Sequence, residues 1–241
     1  MSMDAITIPV PGTAELHVST RSGRVSITAE ERSDVSVESD APLRDDKVES
    51  DATGRVAVKS GRGGSGWLEI RCPAGSDVAI GTVSGTVSLR GQFGAVKVLT
   101  VSGTIEVDRA EALDARSVSG SIEVERCSGR CSLTTKSGKA ICGGAAEAQV
   151  STLSGQIRLG EMAGNVRAQS ASGRIEVGMM GAGDVSVQTM SGAVTVQVPS
   201  GLKPHPRLSS LGSRPRFDVE EGNDCEIRVQ SLSGRIEVVP A

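Results

Sequence analysis

A Ser-Gly pair returns at a nearly constant interval through most of this 241-residue chain. It stands at Ser84, Ser102, Ser119, Ser137, Ser154, Ser172 and Ser191, in steps of 18, 17, 18, 17, 18 and 19 residues, and again at Ser233. Gly212-Ser213 lies halfway across the last gap and reads as a degenerate copy. Upstream, Ser22 and Thr53-Gly54 mark two steps of 31 residues before Ser84, which suggests wider rungs or a cap. A fixed period constrains the fold more than any other feature, because each repeat is one unit that must bury its apolar face against its neighbours.

The flanks repeat with the pair. With each Ser taken as zero, position −6 runs from Val78 to Ile227, −4 from Ile80 to Val229, +3 from Val87 to Ile236 and +5 from Leu89 to Val238. All 32 of these positions are apolar, and polar residues fill most of the places between them. Apolar residues two apart describe a strand with one buried face. Each repeat therefore holds two short strands joined at the Ser-Gly corner, where glycine accepts positive φ. A third side begins near +8, at Ala110, Cys127, Ala145, Met162 and Met180. Stacked in parallel, such repeats close a continuous narrow core.

The expected fold is all-β: a single-stranded parallel β-helix, or β-solenoid, with about 18 residues per rung and a right-handed sense, which parallel crossovers favour. At roughly 4.8 Å per rung, about ten rungs make a rod on the order of 50 Å long. Composition agrees, since only Trp67, Phe93 and Phe217 are aromatic among 241 residues with 30 glycines. A β-sandwich also alternates, but it does not demand identical apolar registers through eight repeats. Four regions follow: less regular N-terminal rungs or a cap over 1–77, regular solenoid over 78–198, an expanded rung with a Pro-rich loop over 199–224, and a terminal rung over 225–241. Pro9 and Pro11 suit the cap, having no N–H to donate to a ladder.

The runs TVSGTVSL, TVSGTIEV, SVSGSIEV, TLSGQIRL and SLSGRIEV, with LEIRCPAGS before them, cover nearly the whole chain. They resemble a bacterial family of uncharacterised β-strand-repeat proteins, a domain of unknown function whose members go by the name "putative adhesin". The resemblance implies a β-solenoid and brings no catalytic residues to carry over.

Other features narrow the function. A net charge of −3, no Lys/Arg run and no stacking aromatics give no reason to expect a nucleic-acid partner. No segment is apolar enough to span a bilayer, and Met1 to Pro11 lacks the basic and apolar regions of a secretory signal. A cytoplasmic protein is the expectation. Cys72, Cys127, Cys131, Cys142 and Cys225 have no framework spacing and read as buried small hydrophobes rather than metal ligands. No cofactor is expected.

A polysaccharide-active β-helix would need converging carboxylates. The outward ones, Glu106, Glu123, Glu176 and Glu237, read instead as a solvated face, with Arg174 and Arg235 beside the last two. His17 and His205 stand apart and read as surface residues. A Thr/Ser row at −2, from Thr82 to Ser231, falls on the inward side by strand parity, where it would satisfy the corner. Alternation then sends position −1 outward. Val83, Val101, Val118, Leu153, Met190 and Leu232 would form an apolar stripe broken by Lys136, unless the corner turns them into the core.

These features point to a non-enzymatic structural or protein-interaction scaffold. The alternatives are a self-polymerising cytoskeleton-like or adhesin-like subunit and, more remotely, the polysaccharide-active enzyme. Its partner would be a protein or another copy, met through the stripe or through an open edge on the C-terminal rung, an edge that a partner, a second copy or the 199–224 loop is expected to cover.

Overall fold

The computed structural model describes residues 4–40, 48–59 and 66–241, and every regular element among them is a strand. The chain forms two compact units, Met1–Gly120 and Ser121–Ala241.

In the first unit the strands are β1 (Asp4–Pro9), β2 (Glu15–Ser19), β3 (Arg24–Glu30), β4 (Asp34–Ser39), β5 (Val48–Ser50), β6 (Arg55–Lys59), β7 (Trp67–Pro73), β8 (Asp77–Ser84), β9 (Thr86–Ser102) and β10 (Ile105–Ser119). The second holds β11 (Ile122–Met162), β12 (Val166–Met179), β13 (Val185–Ser191), β14 (Val194–Val198), β15 (His205–Ser210), β16 (Arg216–Phe217), β17 (Glu226–Ser233) and β18 (Ile236–Pro240). Pairing is mostly parallel, and its register follows the sequence repeat. Val87 lies beside Ile105 and Val98 beside Ala115, while Ala148 lies beside Val166 and Ile157 beside Ile175. Like positions of successive repeats are thus neighbours across the ladder. The exceptions are antiparallel and confined to the N-terminal part: β1 with β4, β4 with β7, and β5 with β6.

All 32 positions at −6, −4, +3 and +5 are buried. Burial alternates along each arm, as in β13, because successive side chains leave a strand on opposite faces. The third side differs from the sequence reading at one place. Met162 at +8 is buried, but its ladder partner is Met179, and Met180 is exposed. A register shift follows Leu159, where β11 carries Gly160 and Glu161 against Gly178 alone in β12. The inward place therefore falls one residue earlier in the later repeat. In the first unit Phe93 fills the third side, opposite the small Ala110.

The order of stacking departs from the order of sequence. The 31-residue steps do not measure a wide rung: β2 lies between β6 and β8, and β3 between β7 and β9. Leu16 consequently meets both Val56 and Val78. Thr53-Gly54 is not a corner either, since it precedes both arms of its repeat. It forms a turn before β6, with the Thr53 and Arg55 amides donating to Asp51 Oδ1.

The second unit makes the same kind of interchange. β17 pairs with β13 on one side and β15 on the other, and β18 with β14 and β16. The C-terminal rung is therefore not an open edge for a partner: of the covers expected for it, the 199–224 segment is the one present. The repeat from Glu226 to Pro240 is an inner layer, and the expanded rung before it supplies the outer one.

Candidate functional site

Two columns of side chains meet at the Ser-Gly corner and determine what it presents. The first is glycine. Gly103 has φ of +131° and Gly173 of +134°, but conformational freedom is only part of their role. A Cβ on Gly103 would overlap the Gly85 carbonyl oxygen, and one on Gly173 would overlap that of Gly155. Gly85, Gly23, Gly155, Gly192 and Gly234 are crowded in the same manner, with Gly66 supplying the carbonyl that faces Gly23. Only a hydrogen fits between successive corners.

The second column is hydroxyl. Every Thr or Ser at −2 is buried. Thr100 Oγ1 donates to the Ser102 carbonyl at 3.2 Å, Ser170 Oγ to that of Ser172 at 3.0 Å and Thr189 Oγ1 to that of Ser191 at 3.1 Å. The bond closes the corner two residues on and satisfies a hydroxyl taken out of water. Ser117 Oγ and Ser231 Oγ are buried without such a partner.

With −2 inward, −1 faces solvent. In the first unit Val83, Val101 and Val118 are exposed by 50 %, 49 % and 40 %. In the second, Leu153, Met190 and Leu232 are exposed by 61 %, 57 % and 53 %. Sequence numbering passes over Leu211, which is 84 % exposed. The pairing of Ser210 with Ser231 puts Leu211 one place after a −2 position, so it continues the second unit's stripe. The signal was present in Ser210-Leu211-Gly212, a −2, −1, 0 copy without its serine at zero.

The polar candidates are dispersed. Glu176 pairs with Arg158 at 2.9 Å and Arg174 at 3.8 Å, and Glu237 with Arg235 at 3.8 Å. Glu106 and Glu123 are exposed, each in its own unit. His17 Nε2 meets Glu15 Oε1 at 2.7 Å, and Arg55 reaches the same oxygen at 3.0 Å. Hydrogen bonds from Arg55 first and His17 second hold the Glu15 carboxyl below its ordinary range. His205 is exposed, and its backbone amide donates to the Cys225 carbonyl at 2.7 Å.

All five cysteines are buried and none forms a disulfide. Contact with Cys127 and then Cys142, reinforced by burial, holds the Cys131 thiol protonated. Among the described residues no group of three or more His, Cys, Asp or Glu side chains is placed to hold a metal ion. Burial pushes the Cys72 thiol up to about 11, which leaves roughly one molecule in a thousand as thiolate at about pH 8. Ellman's reagent at that pH should therefore find Cys72 unreactive in folded protein and titrate all five thiols after denaturation. Rapid native reaction at Cys72 would contradict its burial.

The sequence profile of the Toastrack DUF4097 family matches residues 3–197. The chain belongs to that family. The Toastrack match spans the corner columns and the stripe as far as Met190 and ends before β15. Similar solved structures include a "putative adhesin" from Parabacteroides merdae, 13 % identical over 99 % of this chain and 96 % of that one, with a TM-score of 0.42. A second, from Bacteroides fragilis, is 13 % identical over 98 % and 97 %, with a TM-score of 0.41. A "putative cell adhesion protein" from Clostridium sporogenes is 11 % identical over 100 % and 99 %, with a TM-score of 0.31. No curated protein matches this Toastrack chain. No helix among the described residues is long and apolar enough to cross a membrane.

Proposed function

We propose that the protein is a non-enzymatic β-solenoid scaffold that engages a protein partner, or another copy of itself, through the stripe at position −1. In this reading each unit winds right-handed with about eighteen residues per rung. The like-with-like ladder register supports it, with Ile105 beside Val87 and Val185 beside Val166.

The observation that carries the functional part is the repeated exposure of Val, Leu and Met at one corner position. The neighbouring −2 and −4 residues are buried, so folding alone gives no reason for apolar side chains at −1. Exposed apolar residues recurring in register mark a contact surface more often than an idle one. The outward carboxylates offer no rival centre, because Glu176 and Glu237 are each matched to arginines on exposed faces.

The double change Val101→Asp and Val118→Asp tests the reading. It should abolish copurification with native partners, or concentration-dependent sedimentation, while leaving the melting temperature unchanged. Association that survives the double variant would sink the proposal. Collapse of the fold would show that the two valines serve the core instead.

A further inference from the structure

We propose that the groove beside the stripe in the second unit binds an extended, uncharged segment of a partner polypeptide. This rests on the interaction reading above and assigns its occupant. The groove measures about 670 Å³. One wall is an amide row, Gln169, Gln188 and Gln230, all exposed. The other is apolar, with Met190 and Leu232 continued by Leu211.

Three features point to a ligand and to its chemistry. First, polar groups in the groove are left over. The Gln230 amide has no partner among the described residues, and the Gln169–Gln188 contact is a long 3.5 Å.

Second, no ionised side chain lines the groove, although nearby faces carry pairs such as Arg228 with Glu226 at 2.6 Å. An ionised group brought here would find no opposite charge among the lining side chains to pair with. Third, the two walls match the two aspects of a polypeptide. A glutamine amide both donates and accepts, as a peptide group requires, and methionine and leucine receive apolar side chains of varied shape. No aromatic lines the groove, so a sugar ring would find no flat face to stack on. Three ladder steps of roughly 4.8 Å would span about four residues of extended chain.

The experiment uses the full chain and an array of end-blocked hexapeptides. Leu, Met or Val alternates with Ser, Ala or Gln, and matched peptides carry one Asp or Lys. Fluorescence anisotropy should show saturable binding of the uncharged set, at least about tenfold weaker for the charged set. Leu211→Asp and Gln230→Ala should each weaken binding by about tenfold or more with unchanged melting. Leu211 is exposed enough that its replacement does not threaten the fold.

No saturable binding, or a preference for charged peptides, overturns the inference. So does a dimer seen in sedimentation and abolished by Leu211→Asp, which would make a second copy the occupant. Saturable binding of cellohexaose, lost in the same variant, would replace peptide by glycan. If Met190→Asp destroys peptide binding while Leu211→Asp and Gln230→Ala do not, the stripe reading survives and the groove does not. If Met190→Asp also spares native copurification, the stripe reading fails in this unit.

Discussion

Gly173→Ala should leave the second unit unable to close its ladder. The added methyl would overlap the Gly155 carbonyl oxygen, and φ at this position is +134°. Neither problem can be relieved locally. The obstruction is backbone, and shifting it drives Gly155 toward Gly138, whose carbonyl it already crowds. The expected cost exceeds about 4 kcal/mol, enough to yield insoluble or unfolded protein in a chain of ordinary stability. Ser172→Ala is the control. Its side chain is exposed, so its loss should change stability by no more than about 0.5 kcal/mol. Thermal melting followed by circular dichroism compares the two. A Gly173→Ala protein that melts like the Ser172→Ala control would show that the corners are not packed backbone to backbone.

Ile122→Asp should be comparably severe, for a different reason. Ile122 is fully buried at +3 in a strand whose +5 neighbour, Val124, is also buried. An unpaired carboxylate at this site loses its water and gains no cation, which costs several kcal/mol even after its pKa rises. The graded series separates packing from charge. Ile122→Val should cost about 1 kcal/mol and Ile122→Ala about 2–5 kcal/mol. Chemical denaturation reads all three. A soluble Ile122→Asp variant with an unaltered midpoint would remove +3 from the core and, with it, the register of every repeat.

The core was legible because it depends on parity. Val87, Ile105 and Ile122 could be placed inward from sequence, since alternation leaves only two faces and one of them is apolar throughout. Position −1 was legible by the same count, once Thr100 and Ser170 were placed inward. Three things were not. The close approach of corners such as Gly85 and Gly103 depends on backbone spacing between repeats, which no single repeat displays. The exchange of Met179 for Met180 rests on one residue missing between arm and third side, with methionine at both places. Most important, β2 and β17 take positions that violate sequence order. Each repeat offers the same apolar faces to both neighbours, so periodicity shows that repeats stack and not which stacks on which. Leu211 was overlooked because the degenerate pair Gly212-Ser213 reverses the usual order and hides the zero position at Gly212.

The interchange of β15 and β17 also bears on how the second unit can assemble. In the native ladder residues 205–217 pair with residues 226–240, which in turn pair with β13 and β14. The later stretch of chain thus lies inside the earlier one, so the order of layers in the second unit is not the order of its sequence. Proline favours the native order of layers over the swapped one. The His205 amide points at the strand leading into β17, so by alternation the N–H missing from Pro206 belongs to the opposite, outer side. At the outer position β15 loses nothing by that absence. Were β15 to dock first against β13 and be covered by β17, it would become an inner strand with a donor missing from its ladder. A single imino acid thus discriminates between two repeats that otherwise compete for one site, and it does so by penalising the swapped order of layers while leaving the native one untouched.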